Sequence, residues 1–161
     1  MLQHASCAAR AGAGVLLLGP PGAGKSDLLL RLMGEGWSLV ADDQVLLRAE
    51  GDELRASAPP ALRGMIEVRG LGLMEGLGSE AEAVLALAVD CVPRAGVPRL
   101  PEPARFEALG RALPRLAMHA TEASAPRKLA LALDALAGRI ACRAGALEGA
   151  GPRADAGEAG R

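Results

Sequence analysis

The stretch Gly19-Pro20-Pro21-Gly22-Ala23-Gly24-Lys25-Ser26 fills every fixed position of the pattern G-x-x-x-x-G-K-[ST], and it constrains the fold more than any other segment. Such a loop joins a buried strand to a helix. Val15-Leu16-Leu17-Leu18 before it is a short apolar run of the kind a parallel strand needs, and Ser26 to Met33 after it is built from helix formers. The backbone N–H groups of the loop converge on phosphate oxygens, and the following helix adds the positive end of its dipole. Lys25 reads as the ligand of the β- and γ-phosphates. Ser26 reads as a hydroxyl offered to Mg²⁺, a hard cation that prefers oxygen. A glycine-rich turn that merely starts a helix is the bland alternative. Chance is a weak competitor, because the chain has 21 glycines but only two lysines, Lys25 and Lys128.

At 161 residues the chain fits one domain with a sizeable core. A formal net charge of −1 supplies no basic field, and Trp37 and Phe106 are the only aromatic residues, so nucleic acid is not the expected partner. Cys7, Cys91 and Cys142 lack the spacing of a disulfide framework or a zinc site and read as free thiols of a reducing compartment. No apolar run approaches the roughly 20 residues of a membrane span. The expected location is cytoplasmic, without membrane insertion.

Along the chain, residues 2–9 read as a strand turning at Ala11-Gly12-Ala13-Gly14 into the strand Val15–Leu18, and the loop helix runs to about Gly34. Trp37–Ala41 is the next strand, with Asp42 and Asp43 at its C-terminal end. Residues 44–49 and 53–57 form a hairpin around Glu50-Gly51-Asp52. Met65–Arg69 is a short strand followed by the bend Gly70-Leu71-Gly72, and Val84–Val89 is a strand ending in Asp90. Four prolines make 91–103 a loop carrying Arg94 and Arg99. Leu113–Met118 is a last strand, and a helix starting at Pro126 places Leu129, Leu133 and Leu136 on one face before Gly138 stops it. The domain is expected to span 1–143, with 144–161 a disordered tail.

The second chemical feature is the carboxylate pair Asp42-Asp43, 16 and 17 residues after Ser26. One can orient Mg²⁺ while the other accepts a proton, which is what phosphoryl transfer asks of a protein beyond positioning. A solvated acidic turn is the plain alternative. Asp90 has the apolar-strand-plus-Asp form of a generic metal-binding strand and ranks below the pair. Glu67 stands on a strand between Ile66 and Val68, and Arg69 on the same face could pair with it or meet a phosphoryl group.

Four separated segments resemble the bacterial HPr kinase/phosphorylase family, in particular its short members carrying only the C-terminal catalytic domain. They are His4; the loop Gly19 to Ser26; Leu39-Val40-Ala41-Asp42-Asp43; and Ile66-Glu67-Val68-Arg69-Gly70-Leu71-Gly72-Leu73. The likeness covers roughly residues 1–75 and weakens beyond 90. It implies an α/β fold with a mixed, strongly twisted sheet flanked by helices, similar to that of phosphoenolpyruvate carboxykinase. It also implies ATP and Mg²⁺ as cofactors and a serine of the phosphocarrier HPr, or a paralogue, as acceptor, in the regulation of carbohydrate or nitrogen metabolism. By position, Lys25 matches the phosphate-binding lysine, while Ser26 and Glu67 match Mg²⁺-contacting residues, with Asp42 beside them. Asp43 matches the proton-transferring aspartate and His4 an active-site histidine. Arg99 is the best match to an active-site arginine. Family members also run the reverse phosphorolysis. The region after residue 100 departs from longer members, which leaves a homo-oligomer and the docking elements open. The competing readings are an ATP-binding sensor without kinase activity and a small-molecule kinase or GTPase; for the GTPase the guanine-reading N-K-x-D motif is absent.

Overall fold

A computed structural model describes residues 1–151. The apolar run before the glycine loop is strand β3 (Ala13–Leu18), preceded by β1 (Leu2–His4) and β2 (Ser6–Arg10), and helix α1 (Lys25–Gly34) follows the loop. Next come β4 (Ser38–Ala41), the hairpin β5 (Gln44–Glu50) and β6 (Glu53–Ser57), and a small separate hairpin of β7 (Ile66–Val68) and β8 (Gly72–Met74). The long strand β9 (Glu82–Cys91), the hairpin β10 (Ala104–Ala108) and β11 (Arg111–Met118), and helix α2 (Ala125–Leu136) complete the fold.

Nine strands form one mixed sheet in the order β1-β5-β6-β9-β3-β2-β4, with β11 and β10 added beside β9. The sheet curls back on itself. Only Ala5 separates β1 from β2, and only Asp42-Asp43 separates β4 from β5, so the same two stretches of chain pair on either side of a bend. Ala5 N–H closes the bend by donating to Asp43 C=O at 3.1 Å. Strands β3, β9 and β11 run parallel, so the loops that follow them open on one end of the sheet, where α/β proteins bind ligands.

Each face of the sheet has its own core. Val15 and Leu17 point toward the helices, against Leu28, Leu29, Leu32, Leu129 and Leu133, while Leu16 and Leu18 point into the curl, against Cys7, Val40, Val45, Leu47 and Leu54. In β9 the alternation changes parity: Ala83 and Leu85 belong to the curl, Leu87 and Val89 to the helix side. The cause is a bulge at Ala86, the extra residue between Gly14↔Leu85 and Val15↔Leu87. Arg10 fastens α2 to β2 through Asp134 at 2.7 Å, and this hydrogen bond holds the Asp134 carboxyl below its ordinary value.

The single strand expected over 2–9 is interrupted at Ala5, and its two parts, β1 and β2, pair with different strands. Strand β10 was not anticipated, since its five residues contain one large apolar side chain, Phe106. Past the expected boundary at 143, Leu147 is buried in the helix-side core with Ala146 and Ala150 packed against that core. Residues 152–161 of the expected tail lie outside the described residues. Among the described residues, no helix is long and apolar enough to cross a membrane.

Leu129 is fully buried on α2 and Leu131 is 40% exposed on the same helix. Leu129→Ala should lower unfolding free energy in a denaturant titration by about 2–5 kcal/mol, whereas Leu131→Ala should stay within about 0.5 kcal/mol.

Candidate active site

A cleft of about 880 Å³ opens between the start of α1, the β4–β5 turn and the β7–β8 hairpin. Pro21, Gly22, Gly24, Lys25 and Ser26 line it from the loop, Asp42 and Asp43 from the turn, and Glu67 and Arg69 from the hairpin. Gly19, Pro20 and Ala23 do not line it. Gly19 lies against β9, where an added Cβ would come within 3.0 Å of Cys91 C=O. Gly24 has φ +94°, and a Cβ there would meet Thr121 at 3.0 Å and Ala120 at 3.2 Å, so the segment after β11 presses on the loop from behind.

Lys25 is 6% exposed, and its ammonium donates to Gly19 C=O at 2.6 Å and Pro20 C=O at 3.0 Å. The loop carbonyls thus satisfy a charge that burial would otherwise make costly. Ser26 Oγ donates to Asp42 Oδ1 at 2.8 Å, joining the first turn of α1 to the end of β4. Asp43 turns the other way, with its carboxylate 65% exposed and 3.5 Å from His4 Nδ1. Glu67 is exposed while Ile66 is buried and Val68 half-buried against the helix-side core, as strand alternation requires, and all three line the cleft.

The chain therefore gathers Lys25, Ser26, Asp42, Asp43 and Glu67 around one cleft, with His4 at its edge on Asp43. Arg99 is the exception: it stands exposed in the proline-rich loop after the 3-10 turn Arg94–Gly96, does not line the cleft, and has no hydrogen bond or ion pair among the described residues. Arg69 lines the cleft without pairing with Glu67. Asp90 is engaged elsewhere, in a two-pronged pair with Arg115 at 2.6 and 2.7 Å that raises the guanidinium's already high value.

One residue escaped the sequence reading. Ser6, fully buried at the start of β2, donates to Asp42 Oδ1 at 3.1 Å and accepts the Asp43 N–H at 3.2 Å. A serine inside an apolar stretch was the available signal, since a buried hydroxyl must find a partner.

The oxygen donors fit a small hard cation. Ser26, Asp42 and Glu67 offer one hydroxyl and two carboxylates, and among the described residues no three His, Cys, Asp or Glu side chains cluster closely enough to cage a metal alone. Mg²⁺ is held in this way, by one or two carboxylates, with water and substrate phosphates completing its shell.

Residues 1–78 match the sequence profile described as the HPr Serine kinase C-terminal domain. The HPr kinase/phosphorylase of Caldanaerobacter subterraneus subsp. tengcongensis is 51% identical over 65 residues, which is 40% of this chain and 21% of that protein. That of Nitrosomonas europaea is 50% identical over 64 residues, 39% of this chain and 20% of that protein. The matched stretch thus spans about a fifth of the curated relatives' length. In three dimensions the chain superposes on the HPr(Ser) kinase/phosphatase from Coxiella burnetii with a TM-score of 0.71 at 25% identity, covering 83% of this chain and 99% of that one.

Burial pushes the Cys91 thiol, behind the loop, up to about 11, although the Lys25 charge pulls it the other way; burial pushes Cys7 up to about 12. A raised value keeps both as unreactive thiols near neutrality. At about pH 8, an alkylating reagent should modify Cys142 in the native protein and spare Cys7 and Cys91, with all three labelled in denaturant, as read by mass spectrometry.

Proposed function

Residues 1–78 of this chain match the HPr Serine kinase C-terminal domain, and from that match we propose that the protein belongs to this family and is an ATP- and Mg²⁺-dependent protein-serine kinase. Its acceptor is a seryl hydroxyl of the phosphocarrier HPr or of a paralogue, in control of carbohydrate or nitrogen metabolism in the cytoplasm. The observation that carries the proposal is the division of the acidic pair: Asp42 is bonded to the loop serine at 2.8 Å, while Asp43 faces the open cleft beside His4 at 3.5 Å.

The roles follow from that division. The loop N–H groups and Lys25 hold the β- and γ-phosphates, with the ammonium exchanging neutral carbonyls for charged oxygens, a stronger partnership. Ser26, Asp42 and Glu67 would hold Mg²⁺, which would neutralise phosphate charge when bound. Asp43 accepts the seryl proton as the serine oxygen bonds to the γ-phosphorus and the bond from that phosphorus to the β–γ bridging oxygen breaks, releasing ADP. His4, within ion-pair distance of Asp43, holds that carboxylate in place. In the reverse direction, with inorganic phosphate as acceptor, a protonated Asp43 returns its proton to the serine oxygen. Arg69, which lines the cleft, is better placed than Arg99 to meet the transferring group.

The test uses the purified chain with γ-labelled ATP, Mg²⁺ and the phosphocarrier of the same organism. Label should appear on a carrier serine. Asp43→Ala should slow transfer by about 10²–10⁴ with ATP binding retained, and Lys25→Ala should weaken ATP binding itself. No label on the carrier, with ATP binding intact, would replace the kinase reading with that of an ATP-binding sensor.

A further inference from the structure

We propose that Ser6 is a positioning residue that aims the Asp42 carboxylate at the cation and fixes the turn from which Asp43 projects. The inference rests on the phosphoryl-transfer reading above. Ser6 is fully buried, and apart from Lys25 it is the only buried polar or charged side chain among the described residues. Its neighbours along β2, Cys7, Ala8 and Ala9, are small and apolar, so alanine would satisfy packing there equally well. The hydroxyl is therefore explained by what it touches.

It touches both carboxylate residues. The Ser6 hydroxyl donates to Asp42 Oδ1 at 3.1 Å, the atom that also accepts the Ser26 hydroxyl at 2.8 Å. Two hydroxyls converging on Oδ1 fix the plane of the carboxylate. Oδ2 has no hydrogen-bond partner among the described residues, so it is the oxygen left for a cation. The Ser26 hydroxyl spends its proton on Asp42 and keeps its lone pairs for the same ion.

The second contact concerns the backbone. Asp43 has φ +68°, the left-handed region that residues other than glycine seldom occupy. Its N–H donates to Ser6 Oγ at 3.2 Å and its C=O accepts the Ala5 N–H at 3.1 Å, so residues 5 and 6 grip the peptide from both sides. One hydroxyl thus sets the orientation of Asp42 and the backbone from which Asp43 leaves. Ser6 acts through these residues and does not line the cleft.

The experiment measures ATP affinity by calorimetry with and without Mg²⁺, for the wild-type chain and for Ser6→Ala, Ser6→Cys and Ser6→Thr. Wild type should bind ATP more tightly with Mg²⁺. Ser6→Ala should keep the Mg²⁺-free affinity and lose about tenfold or more of the Mg²⁺-dependent gain, the usual effect of removing a group that orients a metal ligand. Ser6→Cys, nearly the same shape but a weak donor, should behave like Ser6→Ala and serves in its place if the alanine variant does not fold. Ser6→Thr keeps the hydroxyl and should restore most of the gain. A full Mg²⁺ gain in Ser6→Ala or Ser6→Cys overturns the inference, and so does an equal loss with and without Mg²⁺, which would mark a purely structural serine. If wild type binds no ATP under either condition, the kinase reading itself fails and the inference falls with it.

Discussion

The site depends on the seam where the curled sheet closes, along residues 4–6 and 42–43. A left-handed Asp43 costs roughly 1–2 kcal/mol. Against this stand the backbone bond from Ala5 and the side-chain bond from Ser6, each worth about 0.5–1.5 kcal/mol net, so the seam roughly offsets the conformation it imposes. The gain lies in geometry. Adjacent residues of an ordinary strand point to opposite faces, and both faces of β4 are closed core, with Leu39 on the helix side and Val40 in the curl. The break after Ala41 lets Asp42 bond Ser26 while Asp43 faces the cleft and His4.

The two cores explain why this seam can be rigid. With apolar layers on both faces of β3, the strand that delivers the loop has Val15, Leu16 and Leu17 fully buried. The parity change at Ala86 lets one strand serve both layers: the first part of β9 closes the curl against β6, and its second part supports the helices beside β3. Gly19 is then set against Cys91 and Gly24 against Thr121, so the loop is pressed between the ends of β9 and β11 on one side and the cleft on the other.

Much of this was legible in the sequence because local signals and tertiary demands coincided there. The run Val15–Leu18, the glycine loop and the helix formers after it specify a strand, an anion-binding turn and a helix without outside help. The acidic pair and Glu67 could be placed at strand ends or on strand faces from alternation alone. What was hidden depends on pairing partners. Strand β10 exists because β11 offers it an edge, and its turn puts Leu109 at φ +52° and Gly110 at φ +72°, a hairpin turn whose first residue carries no turn signature. Leu147 packs into the helix-side core, which a glycine- and alanine-rich stretch does not announce. Arg99 stands in a loop set by four prolines, which holds no periodicity that could say where a side chain points. Ser6 is a chemically ordinary residue until β2 is laid beside the β4–β5 turn.

The electrostatics of the loop follow from the same packing. Lys25 is the one charged side chain buried among the described residues, and the partners that make this tolerable are neutral carbonyls rather than a carboxylate. The nearby sulfur adds no negative charge, because burial holds the Cys91 thiol protonated up to about 11. Asp42, the carboxylate that could have paired with the ammonium, has Oδ1 committed to two hydroxyls instead. The lysine therefore keeps an uncompensated positive charge in a poorly solvated setting, where an arriving phosphate gains most from it. The seam that separates Asp42 from Asp43 also keeps the acidic pair from neutralising the loop.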